Sequence, residues 1–363
     1  MRDFSLHLPI NSVSFGQVSV ALLREFHARG LQPCIFPISD QYDLSAQDDL
    51  SDDFQKWLTS CLSKRHEQHS RKNPIFKLWH LNGSLESFSE KQILFSFHEL
   101  DEITSTEKNI ANNNKLIVSS SFSKEVFEAN GVNDVTNIPL GFDSHNFKVK
   151  EQSYLKNKIV FNLCGKLEKR KNHKQTIQAW VKKYGNNKNY VLQGAIANPF
   201  LKQEDFSRLL NEILDGKSYF NVNFLGSMQK NSLYNDYLNS ANIIIGMSGG
   251  EGWGLPEFQS VALGKHSVIL NATGYKNWAT EDNSVLVEPN GKRDVYDGIF
   301  FHKGSAFNQG NTFTFDDDEF IDGCEKAIEK YKSNPLNEDG VYLQDLFSYK
   351  KTVDSILKVI EDV

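Results

Sequence analysis

A chain of 363 residues, 39% hydrophobic and 12% aromatic, is too long for one ordinary core and too apolar to be disordered, so two globular domains are expected. No run of about 18 apolar residues is present to span a membrane, and Met1-Arg2-Asp3-Phe4 does not open an apolar leader. The net charge of −6, from 40 basic and 46 acidic residues, counts against a dedicated nucleic-acid binder. The cysteines Cys34, Cys61, Cys164 and Cys324 are scattered without a Cys-x-x-Cys, which implies reduced thiols in a cytoplasm-like compartment (a host cytoplasm if the source is viral) and argues against structural zinc.

In chain order, Phe4–Ile10 reads as a strand, Asn11–Gly16 as a polar loop, and Val18–Ala28 as a helix with Val18, Ala21, Leu22 and Phe26 at helical spacing. Gly30 ends it and Pro33–Ile38 follows as a strand. Such a strand–helix–strand opening implies a parallel sheet with its ligand crevice at the strand C-termini, and Gly16 lies in the first of the crevice loops. Residues 40–73 are polar and irregular, with an acidic group (Asp48, Asp49, Asp52, Asp53) before a basic one (Lys64, Arg65, His66, His69, Arg71, Lys72). The basic group is a solvated helical face or a site for a phosphate-bearing acceptor, and the first reading is favoured.

Phe76–His80 and Ile93–His98 read as buried strands, each closing on a histidine where an open sheet presents its site; a packing role competes with a functional one at His80 and His98. Leu116–Ser120 is another strand, leading to a helix over Ser123–Asn130 and then Thr136–Gly141. A boundary is expected near 145–158, where the chain is charged and poor in apolar residues.

The alternation restarts with the strand Ile159–Cys164. Lys166, Lys169, Arg170, Lys171 and Lys174 then place five cations in nine positions before a helix over 174–184. Surface helices carry such charges routinely, but a cluster in a strand-to-helix loop faces the crevice and suits a phosphate clamp. Strands follow at Tyr190–Gln193 and Val222–Gly226. Between the apolar runs Ile243–Met247 and His266–Leu270 lies Ser248–Gly264, SGGEGWGLPEFQSVALG. Its glycines allow close backbone approach, Pro256 suits a helix start, and Gly264 suits the residue past its end. A glycine loop before a helix N-terminus is an anion site, while Glu251 within it suits hydroxyls better than phosphate. Tight packing alone is the competing reading of these glycines. After the strand Ser284–Val287, residues 290–315 read as a long insertion that covers a site or contacts a partner, and Asp316–Lys332 and Gln344–Glu361 as closing helices.

These segments together resemble the GT-B glycosyltransferases, and specifically family 4, the retaining nucleotide-sugar transferases of glycosyl transferases group 1. Glu251-Gly252-Trp253-Gly254-Leu255-Pro256 is similar to the family's EGFGLP-type loop, and Gly165-Lys166-Leu167…Lys171-Asn172 to its GRL…KN phosphate loop. Val118–Lys124, Ile138–Asp143 and Phe224–Met228 resemble further family segments in the right order. The resemblance implies an α/β fold of two Rossmann-like, doubly wound domains facing each other across a cleft. Residues 1–150 would form the acceptor domain, 151–340 the nucleotide-sugar domain, and 341–363 a helix crossing back to the first domain.

It further implies a metal-independent transfer with retention from a UDP- or GDP-sugar to a hydroxyl acceptor, a glycan being the first choice, and no cofactor beyond the donor. Lys166, Arg170 and Lys171 would neutralise the diphosphate; Glu251 would hold the donor sugar's hydroxyls and His98 would contact the sugar near the reacting centre. Gly16 and Gly250 would offer N–H groups to the phosphates, Gly252, Gly254 and Leu255 would shape the loop, and backbone around Met228 would read the base. The chain departs from the family at Gln259, where relatives carry a second glutamate that holds the ribose. Glu257, about 200° away around the helix, is expected not to replace it. Asp316-Asp317-Asp318, the only Asp-x-Asp match, is read as helix-start charge and not as a metal motif. Two other functions compete: transfer to a hydroxymethylated DNA base, motivated by the basic residues 64–72, and nucleotide-sugar binding without transfer, motivated by Gln259.

Overall fold

The computed structural model describes residues 3–39, 41–151 and 155–363. The expected boundary segment 145–158 thus includes residues 152–154, which lie outside the described residues, as do Met1 and Arg2.

The first domain runs β1 (Ser5–Leu8), α1 (Ser14–Ala28), β2 (Cys34–Pro37), α2 (Asp52–Glu67), β3 (Ile75–Leu78), β4 (Gln92–Ser96), α3 (Ser105–Asn112), β5 (Lys115–Val118), α4 (Ser121–Ala129) and β6 (Val135–Asn137). The second begins β7 (Ile159–Cys164), α5 (His173–Tyr184), β8 (Tyr190–Ala195), α6 (Gln203–Ile213), β9 (Val222–Phe224) and α7 (Asn231–Ser240). It continues β10 (Ile243–Gly246), α8 (Leu255–Ala262), β11 (His266–Leu270), β12 (Val285–Val287), β13 (Gly291–Asp294), β14 (Asn311–Thr314) and α9 (Asp317–Ser333). Two short helices, α10 (Glu338–Val341) and α11 (Leu343–Leu346), lead to α12 (Tyr349–Asp362).

Each domain holds a parallel six-stranded sheet, ordered β2-β1-β3-β4-β5-β6 in the first and β12-β11-β10-β7-β8-β9 in the second. β7, β10 and β11 are buried along their whole length, as near-continuous apolar strands covered on both faces must be. The strand order reverses between β1 and β3 in one sheet and between β7 and β10 in the other. Crevices open outside the strand C-termini at those two places. In the second sheet the reversal puts Gly165–Lys171, which follows β7, beside Ser248–Gly254, which follows β10.

α12 returns to the first domain. Tyr349, Thr352, Val353, Ile356, Leu357, Val359 and Ile360 are buried along one face at three- and four-residue spacing. Arg29 bonds Asp354 at 2.7 Å and the Lys350 carbonyl at 2.9 Å. The predicted single helix over 344–361 is in fact broken: Phe347 takes an extended conformation, its carbonyl accepts from the Phe142 N–H at 2.8 Å, and Ser348 caps a new helix.

Three further differences concern local order. Residues 40–73, read as irregular, contain the 16-residue α2, started by the Ser51 side chain accepting from Phe54 N–H. The region 290–315 is an antiparallel hairpin, β13–β14, with a long tip. Gly16 lies not in the loop but in the first turn of α1, where Asn11 fills the space that a side chain would take.

Candidate functional site

The crevice of the second domain is built around four charged side chains. Arg170 and Lys171 occupy a short 3-10 turn after β7 and are almost fully buried, as is Glu251. The Lys171 ammonium bonds the Glu251 carboxylate directly. Arg170 reaches Glu251 at 3.4 Å, Glu168 at 3.0 Å and, across the domain boundary, Glu99 at 3.1 Å. A planar guanidinium with five donors suits such a shared position.

Backbone bonds fix the two loops to each other. Gly249 N–H donates to the Arg170 carbonyl at 2.9 Å, and Phe313 N–H of β14 donates to the Gly249 carbonyl at 2.9 Å. Asn172, in the left-handed region with φ 56°, donates to the Met247 and Phe313 carbonyls at 2.8 and 3.0 Å. Glu251 N–H donates to the Thr273 hydroxyl at 3.0 Å, which sets the carboxylate's place in the loop.

The electrostatics follow from burial against pairing. Burial penalises the Glu251 charge, but Lys171 and then Arg170 overcome it and hold the carboxyl below the ordinary range. Burial likewise works against Lys171, and Glu251 more than restores it, leaving the ammonium firmly charged. Glu99 moves the other way: burial raises it, Arg170 opposes that, and the nearby Glu251 and Glu168 add to the rise.

The glycines of the loop serve the domain contact. A Cβ on Gly250 would lie 2.9 Å from the Glu99 carbonyl oxygen, and one on Gly252 would lie 2.9 Å from Phe97 Cβ. The close approach expected for a ligand is here to the first domain's backbone just past β4, and Ser119 Oγ donates to the Gly252 carbonyl at 2.8 Å. Gly254 is the N-cap of α8 at φ 80°, with Leu255 and Pro256 as the first two helical residues, so Pro256 stands second instead of first. Leu255 packs on the core, and Gln259 is buried one turn further along α8.

Other expected site residues lie elsewhere. Lys166 does not join Glu251: it pairs with Glu168 at 3.0 Å and lies over the rings of Phe300 and Phe200, at 4.7 and 5.3 Å from their centroids. Phe300 belongs to the hairpin tip, so the insertion covers this side of the crevice. Of the remaining cations in the run, Lys169 pairs with Asp294 of β13 and Lys174 faces solvent. Met228 is half-buried in the loop after β9 with its side chain against the core.

His80 and His98 stand two residues beyond β3 and β4 instead of closing them. His80 is exposed and its ring lies 4.5 Å from that of Phe15. The His98 ring packs edge-on to Phe127 at 5.0 Å, its Nε2 is buried without a partner, and burial lowers its pKa so that it is neutral. Glu99, the next residue, is the one that meets Arg170. Sequence reading missed Glu99, although it stands beside His98 at the same strand end, and missed Glu168 inside the cation run.

The hairpin also ties the domains together. Lys292 bonds Asp101 at 2.8 Å, Asn311 N–H donates to Asp101 at 2.7 Å, and Asn308 N–H donates to Glu107 at 3.0 Å. On its other side Arg293 donates to Asn172 Oδ1 at 2.7 Å.

Residues 143–299, from the end of the first domain through both crevice loops, match the family model of glycosyl transferases group 1. This stretch, less than half of the chain, is similar to the group 1 glycosyltransferases. The fold of the chain is GT-B. Sucrose-phosphate synthase from Thermosynechococcus elongatus superimposes with a TM-score of 0.69 at 14% identity, covering 100% of this chain and 99% of that one. HepE of Anabaena in complex with UDP-glucose does so with a TM-score of 0.66 at 15% identity, covering 100% of each chain. Trehalose-6-phosphate synthase OtsA gives 0.69 at 10% identity, covering 100% of this chain and 99% of that one. No curated protein matches the chain by sequence. Among the described residues, no helix of this glycosyltransferase is long and apolar enough to cross a membrane.

Proposed function

We propose that this glycosyltransferase moves a sugar, with retention and without a metal, from a UDP- or GDP-sugar to a hydroxyl of a glycan acceptor. The observation that carries the reading is the buried Arg170–Lys171 pair set against Glu251 at the point where the second sheet reverses. As the bond to the diphosphate lengthens, negative charge grows on the phosphates and positive charge on the sugar ring. Cations already fixed in a water-poor crevice stabilise that leaving group with little reorganisation. Glu251 turns from Lys171 to the sugar hydroxyls, and the neutral His98, with its unpartnered Nε2, contacts the sugar on the first domain's side. Gly16 and Gly250 offer backbone N–H groups to the phosphates, and Lys166 leaves Phe300 to join them. Backbone around Met228 reads the base and Gln259 meets the ribose.

The reading without a metal is supported by the place of the acidic triplet: Asp316 accepts from the N–H groups of Asp318 and Glu319 at 2.9 and 3.2 Å, capping α9. A glycan is preferred over DNA because several residues of the basic group are engaged within the chain. Lys64 bonds Gln32 at 2.7 Å, and His69 bonds both Ser5 and the Phe88 carbonyl. The free, buried cysteines support action in the cytoplasm.

A panel of UDP- and GDP-sugars, scored by thermal shift and by release of the diphosphate with and without glycan acceptors, tests the proposal. Turnover by wild type, loss of about 100-fold or more in Lys171→Ala and Glu251→Ala with folding retained, and activity in the presence of a chelator are expected. Tight nucleotide binding without any turnover would leave only a binding function, and an unimpaired Glu251→Ala would remove Glu251 from the chemistry.

A further inference from the structure

The first domain has a crevice of its own beside the glycine loop, and aromatic rings line it. Its sheet reverses between β1 and β3, so the segments leaving those strands, 11–17 and 79–85, flank an opening at the strand C-termini. Between ring centroids, Phe15 of the first segment lies 4.5 Å from His80 and 5.6 Å from Trp79 of the second, and 4.5 Å from Phe97 past β4. Phe15 is buried under the group, Trp79 and Phe97 are half-buried, and His80 is exposed, with Ser12, Val13 and Asn82 exposed at the rim. Phe97 joins this wall to the loop that carries Glu251, since a Cβ on Gly252 would lie 2.9 Å from Phe97 Cβ. Packing accounts for Phe15. It leaves unexplained an indole and an imidazole held partly open to water at the place where an open sheet receives its ligand.

The charge around the rings narrows what they suit. Neither flanking segment contains Asp, Glu, Lys or Arg. Lys77 beneath them is 1% exposed and donates to the Gly83 and Glu86 carbonyls at 2.5 and 2.7 Å. The basic residues 64–72 lie between the end of α2 and the start of β3, at the opposite edge of the sheet. A phosphate brought to the rings therefore finds no cation in either segment to pair with. Partial desolvation, then Lys166 and Arg170, lower the His80 pKa to about 4, so its imidazole is neutral and can accept a hydrogen bond from a hydroxyl.

We propose that Trp79 and His80 form the acceptor subsite, and that it takes a neutral pyranose and not a phosphorylated one. The C–H face of the sugar lies on the indole, a hydroxyl of its edge donates to the imidazole, and Phe15 holds both rings from behind. A flat apolar face with a polar rim matches a half-open aromatic wall with one neutral acceptor. The inference rests on the glycan-acceptor reading and narrows it to sugars without phosphate.

Trp79 reports its own occupancy. Of the five tryptophans, Trp57, Trp180, Trp253 and Trp278 are 8% exposed or less, so Trp79 is the one open to a quencher. Acrylamide quenching of the full chain is measured with methyl glucoside, galactoside, mannoside and N-acetylglucosaminide and with the corresponding sugar phosphates, each with and without UDP or GDP. At least one neutral glycoside is expected to protect Trp79, and its phosphate to protect about tenfold more weakly or not at all. No protection by any neutral glycoside overturns the proposal, as does equal or stronger protection by the phosphates. Ligand-observed NMR titration of the protecting glycoside then reads the variants. Trp79→Ala is expected to weaken binding roughly tenfold and Trp79→Phe, which keeps a ring, less than about threefold. His80→Ala changes an exposed side chain that the fold does not need, and is expected to weaken binding several-fold. Unchanged affinity in Trp79→Ala or in His80→Ala overturns the subsite, whereas a merely structural Trp79 would lower Tm and leave the glycoside affinity of the folded protein alone. Diphosphate release by wild type from the nucleotide sugars is read in parallel. A glycoside that stimulates release without protecting Trp79 overturns the subsite and leaves the glycan reading standing; no release from any donor overturns the donor reading instead.

Discussion

Arg170→Met gives the sharpest test of the site's electrostatics. The substitution keeps much of the side chain's volume and removes a guanidinium that contacts Glu99, Glu168 and Glu251 at 3.0 to 3.4 Å. Breaking a buried pair by deleting one partner costs about 3–5 kcal/mol, because the remaining charge stays buried. Glu168 and Glu251 keep Lys166 and Lys171 as partners, which places the expected loss nearer the lower figure, about 3 kcal/mol at pH 7.5. For a domain of this size that is roughly 6–12 °C in Tm. The sign with pH is fixed by the same contacts. In wild type the Glu251 carboxyl is held below its unfolded value, so its contribution is complete above that value and lost as pH falls through the folded one. Without Arg170 the folded values of the three carboxyls rise, and groups whose folded pKa is raised are destabilising at high pH and relieved as pH falls. The Tm difference between wild type and variant is therefore expected to shrink towards pH 5. Differential scanning fluorimetry at pH 5 and 7.5 reads it directly. A difference below about 2 °C at pH 7.5, or one that grows on acidification, would refute the reasoning.

Gly254→Ala is expected to destabilise by about 2–4 kcal/mol, from the left-handed backbone and from overpacking, since its Cβ would lie 2.2 Å from Tyr275 Cε1 at φ 80°. A urea midpoint unchanged from wild type would show that the α8 cap relaxes freely. Stability should also fall between pH 6.5 and 5, before most carboxylates titrate. His7 and His173 are buried and held neutral, lowered to about 4 and about 3 by burial and by Lys77 and Lys171 respectively, and burial lowers His98 too. The unfolded chain binds protons there that the folded one refuses, at up to about 1.4 kcal/mol per pH unit for each histidine. A flat Tm profile over that window would contradict the neutral assignments.

The legible part of this fold was the part encoded locally. β7, β10 and β11 are runs of apolar residues bounded by loops, and the glycine loop with its Pro256 and Gly264 limits announces strand, turn and helix within 22 residues, 243–264. α2 was overlooked although its buried residues Phe54, Trp57, Leu58 and Cys61 stand at i, i+3, i+4 and i+7, because the charged and polar residues around them mask that narrow stripe. Glu99 escaped because its partner Arg170 lies 71 positions away on the other domain, and no spacing rule connects them. The neighbours of Lys166 were illegible for a similar reason: the ring it covers is Phe300, carried there by a hairpin whose antiparallel pairing the sequence shows only as Gly, Asn and Phe in an apparent loop.

The pairing of Lys171 with Glu251 has a consequence for how the crevice works. Arg170, Lys171 and Lys166 already have carboxylate partners in Glu99, Glu168 and Glu251, so the positive charge expected to receive a diphosphate is neutralised before it arrives. A diphosphate that takes Lys171 must release Glu251, and the released carboxylate stands in the same loop, fixed by Thr273, where the donor's sugar hydroxyls are proposed to lie. Free diphosphate alone gains the cations and leaves Glu251 unpaired and buried, which is costly. A nucleotide sugar satisfies both partners of the broken pair at once. Under the proposed roles of these two residues, the arrangement would discriminate between donor and spent nucleotide by charge pairing, with Lys171 and Glu251 as each other's stand-in until the sugar is present.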